Sequence, residues 1–177
     1  MKTEDIHFDA YPDYMFEKVT DISPNALRAM GAKAVALDLD STTVNFSSFH
    51  IDEEIIDWVA GIKKAGIEVV VITNTVFLRA LYISRKMGKL PFYSFACKPN
   101  TLALRLAAQK LQLEPGEIAM IGDQLFTDVL SANRTGAISV KVEPMGKEPP
   151  LAYFENKRQL EREYLEQCEN GEIIPAI

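Results

Sequence analysis

One stretch constrains this chain more than any other. Ala34 to Val44 reads Ala-Val-Ala-Leu-Asp-Leu-Asp-Ser-Thr-Thr-Val. Val35, Ala36, Leu37 and Leu39 form a short apolar run of the kind that makes a strand buried on both faces. Asp38 and Asp40 stand at its end, where a buried strand has no ordinary use for charge. Strand alternation puts both carboxylates on one face, a few ångströms apart. Two such groups repel, so one takes a proton or a cation sits between them. Thr42 and Thr43 add hydroxyls just beyond. The plain alternative is a strand closed by an Asp/Ser/Thr turn, and this stretch alone does not choose between the two.

The rest of the chain narrows the choice. A length of 177 residues suggests one domain able to bury a substantial core. We read residues 1–177 as that domain, with a core over about 31–143. An N-terminal segment (1–30) and a C-terminal helical tail (151–177) pack on or beside it. A net charge of −6 argues against nucleic acid as a partner. Cys97 and Cys168 are too few for a disulfide framework or a thiolate metal cluster. Cys97 is expected to be a small buried hydrophobe. The start carries no apolar signal core, and no window is apolar over the length that spans a bilayer. The expected location is cytoplasmic.

Taken in order, residues 1–22 carry Phe8, Tyr11, Tyr14 and Phe16 and are expected to lie over the domain rather than form a core element. Ser23-Pro24 starts a helix that stops at Gly31. The acidic strand follows. Asp52 caps a helix striped by Ile55, Val59 and Ile62, which Gly66 ends. Glu68 to Thr73 is a second buried strand rich in β-branched residues. A helix over 76–87 comes next, then a short strand over Phe92 to Ala96 that delivers Lys98-Pro99. Asn100 caps a helix through Leu111. Ile118 to Ile121 is a fourth strand, ending in Gly122-Asp123-Gln124, and a helix from about Thr127 to Thr135 follows. Ile138 to Val142 is a fifth strand, left through Pro144, Gly146, Pro149 and Pro150. A charged helix spans about 153–168. Such alternation implies an α/β fold, a doubly wound, Rossmann-like open parallel sheet with helices on both faces. Sites in that architecture lie at the carboxyl ends of the strands. Asp38, Asp40, Thr73, Lys98 and Asp123 all stand at such ends or on the loop just beyond.

Together these residues are chemically complete for phosphoryl transfer. Hard carboxylate oxygens suit Mg²⁺, which binds through one or two carboxylates, waters and a substrate phosphate. Lysine and metal offset charge on the transferring oxygens. One carboxylate can be the nucleophile and a second can move the proton.

The four stretches, in this order, resemble the four motifs of the haloacid dehalogenase (HAD) superfamily over about Ala34 to Val142. The stretch Gly122-Asp123-Gln124, Thr127-Asp128-Val129 and Asn133-Arg134, with Lys98-Pro99, is similar to the subfamily IIIA phosphatases, which include the phosphatidylglycerophosphate phosphatases. The resemblance implies a HAD-type sheet, Asp38 as nucleophile and Asp40 as general acid/base. It implies Mg²⁺ held by Asp38, the Asp40 main-chain carbonyl and Asp123, with Asp128 supporting its water shell. Thr73, Asn74 and Lys98 would bind the phosphoryl group. Ser41 and Thr43 stand where the family carries Asn and Leu. Among the basic residues of the helix after Thr73, more often a solvated face, Arg79 is nearest and is a candidate substrate contact.

Spacing adds that 33 positions separate Asp40 from Thr73 and 25 separate Thr73 from Lys98. Neither gap has room for a cap domain. An uncovered site suits a bulky or surface-bound substrate such as a phospholipid headgroup at a membrane periphery, or a lid lent by a neighbouring subunit of a homo-oligomer. The expected activity is Mg²⁺-dependent hydrolysis of a phosphomonoester through an aspartyl-phosphate, with phosphatidylglycerophosphate as leading substrate. The alternatives are a soluble phosphorylated metabolite or a phosphoprotein. A receiver-like signalling domain is more distant, because two aspartates on one strand favour the hydrolase.

Overall fold

The computed structural model describes residues 9–147 and 151–171. Six parallel strands form one sheet in the order β1-β6-β5-β2-β3-β4. They are β1 (Tyr14–Phe16), β2 (Ala34–Leu37), β3 (Glu68–Ile72), β4 (Phe92–Tyr93), β5 (Ile118–Gly122) and β6 (Ile138–Val142). The helices are α1 (Pro24–Ala29), α2 (Glu53–Lys64), α3 (Phe77–Lys86), α4 (Leu102–Leu111), α5 (Leu130–Thr135) and α6 (Ala152–Glu169).

Alternation along the strands builds a core on each face of the sheet. Val35 and Leu37 of β2 join Val69, Val71, Ile55, Val59, Ile62, Ala80 and Ile83 on one side. Ala34 and Ala36 join Val70, Ile72, Leu104, Ala107, Ile118, Met120 and Ala132 on the other. The small residues of β2 thus face α4 and α5, while its larger ones meet α2 and α3. A strand with both faces covered reads as an unbroken apolar run, which is why this one was legible. β2 is paired to β3 on one side and β5 on the other. The chain winds outward from β2 through β3 and β4, then crosses over to β5 and β6. The end of β2 is therefore the switch point where doubly wound sheets bind ligands.

Several expectations need correction. The N-terminal segment is not merely laid over the domain: Tyr14–Phe16 pairs with Val140–Val142 as an edge strand. Asp13 fixes it there, accepting from the Ser139 amide at 2.8 Å and from its hydroxyl at 3.0 Å. Three residues with Tyr14 and Met15 exposed carry no periodicity to read. β4 stops at Tyr93 because Phe95 and Cys97 take left-handed φ of 49° and 52°, which bend the chain out of the sheet. Cys97 is exposed on that bend rather than buried. Asp52 makes no side-chain cap to α2 and faces His50 at 3.2 Å instead. A π-helical turn, Leu125–Val129, precedes α5. Phe8, Pro149 and Pro150 lie outside the described residues. Among the described residues no cap domain is inserted, and no helix is long and apolar enough to cross a membrane.

Candidate active site

The switch point collects the charges. Asp38 follows β2, its amide bonded to the Ile121 carbonyl of β5 at 3.0 Å. Beyond it the chain closes a tight turn in which the amides of Thr42, Thr43 and Val44 all point at the Leu39 carbonyl. Ser41 reaches the left-handed region, φ 58°, to make that turn. The turn aims the Thr43 hydroxyl back at the Asp38 carbonyl, 3.1 Å, and the Thr42 hydroxyl at the Asp123 carboxylate, 3.0 Å. Asp123 follows β5. Asp128 comes from the π-helical turn, and one of its oxygens accepts from the Gln124 amide at 3.1 Å. A Cβ on Gly122 would overlap the Asp128 side chain, so glycine at the end of β5 is what lets that carboxylate in.

Lys98 ties the set together. Its ammonium lies 2.6 Å from Asp38 and 2.6 Å from Asp128, and donates to the Ile72 carbonyl at 2.9 Å. The loop carrying it is held by Asn74, which accepts from the Lys98 amide at 2.8 Å and donates to its carbonyl at 3.3 Å. Asn74 was expected on the phosphoryl group; here its amide is spent on the Lys98 backbone. Thr73 is buried at the end of β3, its hydroxyl accepting from the Thr75 amide at 3.2 Å.

Asp38, Asp123 and Asp128 each offer a carboxylate oxygen, and these lie within 4.8 Å of one another, all buried. Burial pushes the Asp38 carboxyl up to about 7; Lys98 opposes the rise, and Asp128 and Asp123 add to it. Burial also lifts Asp123 to about 6, reinforced by Asp128 and opposed by Arg158. For Lys98 burial works against the charge, yet Asp128 and Asp38 outweigh it and hold the ammonium above the ordinary lysine range. The buried Oδ1 atoms of Asp38 and Asp128 have the ammonium beside them but no aligned hydrogen bond. An all-oxygen donor set with orphaned lone pairs fits a hard divalent cation.

Asp40 stands apart from this triad. One of its oxygens meets Arg79 at 2.7 Å and the other accepts from the Ser47 amide at 2.9 Å. Arg79 is buried beside it, not on a solvated face, and is not free to reach a substrate as expected.

The residues that the sequence did not reveal come from α6. Arg158 pairs with the Asp123 carboxylate and donates to its carbonyl at 2.9 Å. Lys157 bonds the Gln124 side chain. Glu161 accepts from the Leu125 amide at 2.9 Å and braces Arg158 at 2.8 Å. The Tyr164 hydroxyl accepts from the Ala10 amide at 3.1 Å. The one available signal was spacing: positions 157/158, 161, 164/165 and 168 make a helical stripe on an otherwise charged helix.

Comparison with known proteins agrees with this geometry. A family model described as HAD-hydrolase-like matches residues 95–151. The probable phosphatase YqeG of Bacillus subtilis is 32% identical over 154 residues, covering 87% of this chain and 88% of its own. A phosphoglycolate phosphatase of Neisseria gonorrhoeae is 30% identical over 89 residues, 46% of this chain and 37% of its own. Among solved structures, an uncharacterized Listeria monocytogenes protein superposes with a TM-score of 0.54 at 16% identity, covering 68% of this chain and 85% of its own. A HAD superfamily (subfamily III A) hydrolase from Legionella pneumophila superposes with a TM-score of 0.50 at 20% identity, covering 72% and 84%. These last two speak to the fold alone. With a near-full-length relative at this identity and the HAD sheet beneath the aspartates, the chain belongs to the haloacid dehalogenase superfamily of hydrolases and is a phosphatase of that superfamily.

Proposed function

We propose that residues 1–177 act as one Mg²⁺-dependent phosphomonoesterase domain working through an aspartyl-phosphate, with the phospholipid headgroup monoester phosphatidylglycerophosphate as leading substrate. The observation that carries the chemistry is the buried array of Asp38, Asp123 and Asp128 around the Lys98 ammonium at the switch point. Mg²⁺ would be held by Asp38, Asp123 and the Asp40 main-chain carbonyl, with Asp128 beside them, and would supply positive charge to the phosphoryl oxygens. Lys98 and Thr73 serve the same oxygens from the protein side.

In the first half-reaction an Asp38 oxygen attacks phosphorus and the ester P–O bond breaks. The departing oxygen takes a proton from Asp40. In the second, Asp40 accepts a proton from water, whose oxygen attacks phosphorus and breaks the bond to Asp38. Inorganic phosphate leaves and both aspartates are restored.

For the substrate, the support is an uncapped strand-end rim bearing exposed Phe49, Val76, Phe77, Leu78 and Phe95. An apolar rim lets the protein meet a bilayer without extracting acyl chains, whereas the expected basic patch of Arg85, Lys86 and Lys89 lies at the far end of α3, by the start of β4 and away from the rim. A soluble phosphorylated metabolite is the second reading, favoured by the local likeness to a phosphoglycolate phosphatase and by the net charge of −6. The test is phosphate release from the lipid in mixed micelles against a panel of soluble esters, with Asp38→Asn as control. Asp38→Asn is expected to fold and show no turnover; turnover in a clean preparation overturns the nucleophile. A lipid preference below about tenfold in kcat/KM, or ~1.4 kcal/mol, rejects the lipid and keeps the phosphatase.

A further inference from the structure

Arg79 occupies a place that neither a solvated face nor a substrate contact explains. It rises from the first turn of α3, and its side chain is 7% exposed. Nη1 donates to Asp40 Oδ2 at 2.7 Å and to the Thr75 hydroxyl at 2.9 Å. Nε and Nη2 grip the Ser48 carbonyl at 3.1 and 2.8 Å, and the guanidinium carbon lies 5.9 Å from the centre of the Phe49 ring. The Ser47 amide closes the ring of contacts by donating to Asp40 Oδ1 at 2.9 Å. A planar fork spent on a carboxylate, a hydroxyl and a carbonyl fixes position far better than a lysine would. The loop that follows the Asp40 turn is thereby clamped to α3, and both oxygens of Asp40 are held.

We propose that Arg79 is the positioning residue for Asp40, holding its carboxylate at the orientation from which it transfers protons in both half-reactions. This rests on the assignment of Asp38 and Asp40 proposed above. Without the clamp Asp40 can turn about its side-chain bonds, and misplacement by about 1 Å is enough to cost ~10²-fold. The two halves then respond differently to the leaving group. With p-nitrophenyl phosphate the nitrophenolate departs as an anion, so the attack of Asp38 needs no proton. Hydrolysis of the phospho-Asp38 still needs Asp40 to take a proton from water. The phosphoenzyme therefore accumulates.

The experiment is stopped-flow release of nitrophenolate from wild type, Arg79→Gln and Asp38→Asn, with glycerol phosphate as a parallel alkyl ester. Arg79→Gln is expected to release a burst approaching one equivalent per enzyme, followed by steady turnover about 10- to 100-fold slower than wild type. KM for nitrophenyl phosphate should fall in parallel with kcat, leaving kcat/KM within about threefold of wild type, because only the second half-reaction is slowed. Glycerol phosphate, which needs the proton in the first half, should slow at least as much without accumulating phosphoenzyme. A rise in KM of tenfold or more for both esters with no burst means that Arg79 contacts substrate, and overturns the proposal. A loss without a burst that matches a loss of folded protein makes Arg79 merely structural, and also overturns it. Arg79→Lys, which keeps a cation and gives up the fork, is measured if the glutamine variant does not fold; it too must show a burst. Retained turnover in Asp38→Asn strikes at the nucleophile assignment instead, so the two failures are separable.

Discussion

Replacing Lys98 by methionine tests the electrostatic reasoning at its centre. Methionine keeps the unbranched stem and removes the charge, so packing changes little and the ion pairs vanish. Lys98 is 2% exposed and sits 2.6 Å from two carboxylates that are 7% and 1% exposed. Breaking a buried pair by removing one partner costs about 3–5 kcal/mol, because the remaining charge stays in the interior. Unfolding entropy for a chain of this length converts that to a Tm lower by about 8–13 °C. The sign with pH follows from Asp38, whose folded pKa of about 7 stands above its ordinary value. Between those values the folded state holds the extra proton, so stability falls as pH rises, and the loss is complete above the folded pKa. Without the ammonium that pKa moves higher still, and the added loss appears above pH 7. At pH 5 Asp38 is protonated in both proteins. Thermal unfolding in chelator should therefore show the widest gap between variant and wild type near pH 8 and a narrower one at pH 5. A Tm within about 2 °C of wild type at pH 8, or a gap that does not narrow at pH 5, would refute the argument.

Gly122→Ala should keep the circular dichroism spectrum yet lose on the order of 10²-fold in kcat, because the new Cβ displaces Asp128 from beside Lys98; steady-state assay with a folded-fraction control checks it. Arg158→Gln should lower the Tm in chelator by less than Lys98→Met does, since the Arg158 side chain is 13% exposed and water recovers part of the loss. Added Mg²⁺ should raise the Tm of Arg158→Gln by more than that of wild type, because Asp123 has lost its resident cation; equal shifts would count against the pairing.

What could be read from the sequence follows from how each feature is encoded. The central strands were legible because burial on both faces makes them continuous apolar runs, and the site was legible because carboxylates end them. Lys98 was placed in the site by its position beyond a strand, although that strand is only Phe92–Tyr93. The edge strand Tyr14–Phe16 was not legible: its pairing is with Val140–Val142, some 126 positions away, and nothing local announces it. Arg79 and Arg158 look like any basic residue on a charged helix. Their roles come from the acid each meets, Asp40 and Asp123, and that meeting is a property of the fold.

The charges at the switch point also bear on how substrate and the proposed metal would enter. Asp40 lies outside this count, because Arg79 balances it whenever it is ionised. Asp38, Asp123, Asp128 and Glu161 against Lys98 and Arg158 leave two negative charges unpaired when all are ionised. Burial, with the neighbouring carboxylates adding to it, raises Asp38 and Asp123, so the chain alone sheds part of that surplus by keeping a proton. A phosphoryl dianion entering by itself would double that surplus in a buried setting, more than Lys98, shared with two carboxylates, balances alone. A divalent cation entering with the dianion adds no net charge, and a cation entering first replaces the proton. With the metal proposed above, metal and phosphate uptake would be coupled, each raising the affinity for the other, as linkage requires. On the reading proposed above, a bound cation would favour the ionised form of Asp38, the form in which it serves as nucleophile.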